Sequence, residues 1–170
     1  MENKTMSGQV DGSAELARTR TRRVSVGGVA MGAGAPVVVQ SMLTAPTANP
    51  EAAIAQAESL AEAGCEIVRA AIPNSSALDG FAQLCRACPV PVVADIHFDH
   101  RLAVRACELG ASGLRINPGN IGSWDKVDAV IDAARAARIP IRIGVNAGSI
   151  DRELDARDDL SLAEKMALSA

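Results

Sequence analysis

The chain has 170 residues, 48% of them hydrophobic and 22% charged, with a formal net charge of −3. That is the profile of a globular domain able to bury a real core. No apolar run approaches the roughly 18 residues that a membrane-spanning helix needs, and residues 1–23 lack the apolar stretch of a signal peptide, so a cytoplasmic protein that engages no membrane is expected. One Trp, two Phe and no Tyr beside a net acidic charge argue against nucleic acid, which is held by basic surfaces and stacked aromatics.

In chain order, residues 1–21 are expected to be a disordered extension, with the Arg/Thr cluster at 18–23 a solvated basic linker. Residues 24–29 and 35–38 are expected to pair as a short hairpin around the intervening glycine-rich turn. Strand-like apolar runs then begin near Val37, Ile67, Pro91, Gly113 and Pro140. Alanine-rich stretches with helical spacing lie between them, over 50–63, 76–87, 99–109 and 123–137. In the first of these Ile54, Ala57, Leu60 and Ala61 share a face, Pro50 suits a first helical turn after Asn49, and Gly64 suits the end. Ser123 is placed to cap the last. A repeated βα unit predicts a parallel sheet with crossover helices.

Either an open doubly wound sheet or a closed (β/α)8 barrel accommodates this repeat. The turn after the first strand reads Gln40-Ser-Met-Leu-Thr44 rather than Gly-x-Gly-x-x-Gly, so a dinucleotide fold is not supported. Polar residues cluster at the C-terminal ends of several strands, where a barrel carries its active site, and the barrel is the favoured reading.

Three arginines, Arg69, Arg115 and Arg142, sit inside these apolar runs. A buried guanidinium is costly without an anionic partner. Residues two apart on a strand face the same side, so Asp95 pairs in direction with His97, Arg115 with Asn117, and Arg142 with Gly144 and Asn146. Three guanidiniums about 8 Å apart at an effective dielectric near 20 repel by roughly 2 kcal/mol per pair. A phosphate-type ligand would relieve this and suits the planar, bidentate fork of arginine. Internal pairing with Asp95 is the structural alternative. The loops at 117–122 and 146–149 carry glycines that can turn backbone N–H groups toward an anion. Asp95 and His97 at one strand end are candidates for proton transfer or for orienting a hydroxylated substrate, whereas His100, beside Asp99, is expected to face solvent. Cys85-Arg-Ala-Cys88, Cys65 and Cys107 precede strands or lie on a helix, away from the arginines, and read as buried free thiols rather than metal ligands.

The segments at 39–42 (Val-Gln-Ser-Met), 63–69 (Ala-Gly-Cys-Glu-Ile-Val-Arg), 93–99, 114–122 and 140–149 closely resemble the 4-hydroxy-3-methylbut-2-enyl diphosphate synthases of the non-mevalonate isoprenoid pathway. The resemblance runs from about Arg22 to Asp151 and is looser beyond. It implies an oxidoreductase that opens the ring of 2-C-methyl-D-erythritol 2,4-cyclodiphosphate reductively, with loss of water. It implies diphosphate binding at Arg69, Arg115, Arg142 and Asn146, and substrate contact or proton handling at Asp95, His97 and Asn117. It further implies a [4Fe–4S] cluster on a separate C-terminal domain, electrons from ferredoxin or flavodoxin, and a homodimer. The cluster ligands are not among these residues, and Cys85 and Cys88 do not match them. Leu-Thr-Ala-Pro after Met42 departs from the family's first loop. The predicted fold is therefore α/β: the first five βα units of a (β/α)8 TIM-type barrel, incomplete over 22–170 and preceded by a short hairpin. Such a portion is expected to be unstable and inactive alone. The alternative is a non-catalytic half-barrel that binds a diphosphate or another chain. A pterin-binding barrel of the dihydropteroate synthase type shares the architecture, but its Asp-Ser-Phe-Ser loop is missing.

Overall fold

The structure is a computed structural model and describes residues 20–150 and 152–169. The extension expected at 1–21 thus falls almost wholly outside the described residues. The chain opens with an antiparallel hairpin of β1 (Val24–Val26) and β2 (Val29–Met31), closed where Val26 pairs with Val29. Gly27 and Gly28 both have positive φ, +55° and +94°, as a two-residue primed turn requires. This corrects the expected pairing with 35–38: the Gly-Gly turn is tight enough to bring back the residues directly after it, and 35–38 form no strand.

Five parallel strands follow: β3 (Gln40–Met42), β4 (Ile67–Ala71), β5 (Val92–Asp95), β6 (Gly113–Ile116) and β7 (Ile141–Ile143). They lie side by side in chain order, β3-β4-β5-β6-β7. A doubly wound sheet reverses its strand order at a switch point. None occurs here, and the arrangement is that of a barrel wall. Among the described residues β3 and β7 are each paired on one side only.

The helices pack against one another in succession along one side. They are α1 (Pro50–Glu62), α2 (Leu78–Ala87), α3 (His100–Glu108) and α5 (Trp124–Ala137), with α1 on α2, α2 on α3 and α3 on α5. Asn49 caps α1 by accepting from the Ala52 N–H, and Asp99 caps α3 from the Arg101 N–H, each meeting an orphan donor of the first turn. Ser123 occupies the cap position of α5, but its side chain makes no capping hydrogen bond. The stretch expected as a loop after β6 contains a one-turn helix, α4 (Pro118–Ile121), and α6 (Arg152–Asp155) and α7 (Leu162–Leu168) end the chain.

Side-chain alternation separates two cores. Val68, Ala70, Ile72, Val92, Ala94, Ile96, Leu114 and Ile116 face the helices, packing with Phe81, Leu84 and Val130. Ile67 and Val93 face the other way and pack on Val26 of the hairpin, which floors the barrel side of the sheet. Every residue of that second parity, Arg69, Asp95 and Arg115 included, is thereby turned away from the helices.

One close approach constrains this layer. A Cβ on Gly80 of α2 would stand 2.0 Å from the Thr47 carbonyl oxygen. Gly80→Ala should therefore destabilise by about 1–2 kcal/mol, the backbone overlap outweighing the roughly 1 kcal/mol helix-propensity advantage of Ala. Urea unfolding of the full-length polypeptide reads this as a lower midpoint; an unchanged or raised midpoint would show that α2 has room to move.

Candidate functional site

Strand register arranges the inward side chains in rows. One row runs Met42, Arg69, Val93, Gly113 across β3 to β6; the next runs Ala71, Asp95, Arg115, Arg142 across β4 to β7. Neighbouring strands stand about 4.8 Å apart, so Asp95 and Arg115 are adjacent, and Arg69 approaches Asp95 diagonally.

Asp95 is the hub. Its side chain is 2% exposed, and its carboxylate stands 3.4 Å from Arg69 Nε, 3.2 Å from Arg115 Nη1 and 3.4 Å from His97 Nε2. Arg115 is further held by donating from Nη2 to the Gly144 carbonyl at 2.9 Å. Arg69 donates from Nη2 to the Met42 thioether at 3.0 Å, a weak acceptor, and its buried Nε has no hydrogen-bond partner. A phosphate-type ligand is the counterion that the sequence favours, with Asp95 as the alternative. The structure shows that Asp95 serves two of the three guanidiniums, so neither needs a ligand in order to be buried.

One carboxylate beside two guanidiniums still leaves a positive excess, and Arg142 adds to it. In register beside Arg115, Arg142 is solvent-exposed among the described residues, where β7 has one strand neighbour, in contrast to the buried strand residue expected. Of the other expected site residues, His97 is half-buried at the end of β5, its ring edge-on to the exposed Phe98. Asn117 is fully buried and accepts from the Gly119 N–H, capping α4. Asn146 is exposed and precedes the 3-10 turn Ala147–Ser149. Arg69, Asp95, His97 and Arg115 are therefore joined by direct contacts, while Arg142 joins them through register. Met42 and Gly144 were not anticipated as arginine partners. Gly144 shares the face of Arg142 in the sequence, but an acceptor carbonyl leaves no mark on residue type.

The structure also tests the residues against an iron–sulfur cluster. Cys65, Cys85, Cys88 and Cys107 are free thiols. Burial, with the neighbouring Cys88, pushes the Cys85 thiol up to about 12, and burial pushes Cys107 up to about 11, the reverse of the depressed values of ligating or reactive thiols. Among the described residues no three or more His, Cys, Asp or Glu gather as a metal site. These residues do not fit the cluster.

A family profile described as the GcpE TIM-barrel domain matches residues 21–170. The 4-hydroxy-3-methylbut-2-en-1-yl diphosphate synthase (flavodoxin) of Idiomarina loihiensis is 48% identical over 155 residues, covering 91% of this chain and 42% of that protein. The protein of the same name from Maridesulfovibrio salexigens is 51% identical over 140 residues, covering 82% and 39%. The chain thus spans about two fifths of the length of the curated relatives it matches. Among solved structures, a Yersinia pestis dihydropteroate synthase superposes with a TM-score of 0.56 at 13% identity, covering 78% of this chain and 51% of that one. A Xanthomonas albilineans dihydropteroate synthase in complex with 7,8-dihydropteroate does so with 0.55 at 19%, covering 88% and 59%. At these identities the likeness is one of fold alone. No helix among the described residues is long and apolar enough to cross a membrane. On the strength of the profile match and of relatives at about half identity, the chain belongs to the GcpE TIM-barrel family.

Proposed function

We propose that these residues form the first five strands of an eight-stranded barrel and the substrate-binding part of an enzyme that reductively opens the ring of 2-C-methyl-D-erythritol 2,4-cyclodiphosphate, with loss of water. The observation that carries this is the excess of positive charge where Arg69, Arg115 and Arg142 gather around the single carboxylate of Asp95. Arg69, Arg115, Arg142 and Asn146 take the diphosphate oxygens. Asp95 holds two of those guanidiniums in one orientation, so their planes are set before the anion arrives and less ordering accompanies binding. His97, beside Asp95 and open to the mouth, handles the substrate's hydroxyl and its proton, and Asn117 supports the site from beneath by holding the start of α4 at the end of β6. The name of the relatives joins the activity to flavodoxin, and flavodoxin is the proposed electron donor of the full-length polypeptide. The [4Fe–4S] cluster and the homodimer are proposed for that polypeptide too.

Arg115→Ala is the direct test. Two charge-assisted hydrogen bonds to phosphate should be lost, at about 1.5–3 kcal/mol each, and affinity for the cyclic diphosphate, measured by calorimetry on the full-length polypeptide, is expected to fall by about 100-fold or more. Unchanged affinity would remove Arg115 from the site. Tight binding without turnover by the native polypeptide supplied with reduced flavodoxin would favour a binding half-barrel over an enzyme.

A further inference from the structure

We propose that Gly144 is a positioning residue for Arg115, and that the absence of a side chain there sets the pose of that guanidinium. The inference rests on the diphosphate-binding role given to Arg115 above. Gly144 directly follows β7, and its N–H donates to the Ile116 carbonyl at 2.8 Å, which locks its backbone to β6. Its carbonyl accepts from Arg115 Nη2 at 2.9 Å. A Cβ at this position would stand 2.3 Å from Arg115 Nε, 2.7 Å from Nη2 and 2.8 Å from Cζ. The guanidinium therefore occupies the space that the Cβ of any other residue would fill.

Gly144 is not among the positive-φ glycines. Its backbone suits an L-residue, so the demand for glycine comes from Arg115 and not from the turn. Asp95 fixes the other end of the same guanidinium through Nη1. Carboxylate on one side and strand carbonyl on the other leave the side chain one orientation across β5, β6 and the end of β7. An alanine would push Arg115 off the Gly144 carbonyl and away from Asp95, leaving its charge in place but its donors misdirected.

The test uses Gly144→Ala, Arg115→Ala and the double variant in the full-length polypeptide, with calorimetric titration of the cyclic diphosphate, thermal unfolding, and the Arg115 side-chain Nε–H resonance assigned by its loss in Arg115→Ala. Gly144→Ala is expected to weaken binding about tenfold or more, and to weaken it by less than about twofold once Arg115 is already Ala, the non-additivity of two residues acting through one contact. The Nε–H resonance should move toward that of a solvated arginine. Any loss of thermal midpoint in Gly144→Ala should vanish in the double variant, since removing Arg115 removes the overlap. An unmoved resonance, native affinity in Gly144→Ala, or an equal loss with and without Arg115 would each overturn the inference. Should Arg115→Ala bind normally, the diphosphate reading fails. The resonance alone then decides the positioning role, a shift upholding it and no shift overturning it.

Discussion

Asp95→Asn is expected to destabilise the barrel by about 3 kcal/mol and to make its stability depend on added anion. Removing one partner of a buried ion pair typically costs 3–5 kcal/mol, because the charge left behind is neither solvated nor paired. Here two guanidiniums are left, and the lower end applies because their side chains keep 23% and 13% exposure. Asparagine is nearly isosteric and keeps one acceptor oxygen, so the loss reports charge rather than a cavity. With the carboxylate gone, an anion binding the native state becomes the main counterion of Arg69 and Arg115 and stabilises by mass action. Inorganic pyrophosphate should therefore raise the thermal midpoint of the variant more than that of the native protein, and high salt should shrink the difference. Native stability in Asp95→Asn would show that the arginines are balanced by something else. An equal pyrophosphate response in both proteins would show that Asp95 and the anion do not share them.

Phe81→Ala is expected to cost about 4 kcal/mol, the range for emptying a buried aromatic site. Phe81 is fully buried on α2 and belongs to the cluster between helices and sheet. It lies on the opposite side of the sheet from Asp95, and that separation is what makes the variant informative. Phe81→Leu, with about 1 kcal/mol lost through imperfect refilling, should lower the urea midpoint yet leave cyclic diphosphate affinity unchanged. A large affinity loss in Phe81→Leu would mean that strain in the helix-side core crosses the sheet to the arginines. A midpoint unaffected by Phe81→Ala would mean that the core around α2 can collapse without it.

The contrast between these two positions shows which features could be read without coordinates. The strands around Ile67 and Val92 were legible as short continuous apolar runs, and that around Gly113 because Leu114 and Ile116 alternate with Gly113 and Arg115. Asn49-Pro50 marked a helix start because capping chemistry is local, and α1 begins at that cap. The Val37-Val-Val39 run misled for the same reason that the others succeeded: branched residues favour extended chain, but only the Gly27-Gly28 turn decided which segment returned to β1. Asn117-Pro118 carried the signature of a capped helix start, with proline in the first turn, yet the glycine after it favoured a loop reading.

Residue type and alternation were enough to place Asp95 and Arg115 on the inward face, because a strand's faces follow from its own sequence, whereas the apolar run around Arg69 left its face to be set by the sheet. Which of them would touch was settled by tertiary structure alone. Register between separate strands sets Asp95 beside Arg115 and Arg69 beside Val93, and it depends on how helices and hairpin pack around the sheet. The same holds for the unswitched strand order that makes a barrel wall rather than a doubly wound sheet. It holds too for the Gly144 carbonyl under Arg115. Each joins residues distant in the chain, and such contacts arise from the packing of whole elements, which no local pattern encodes.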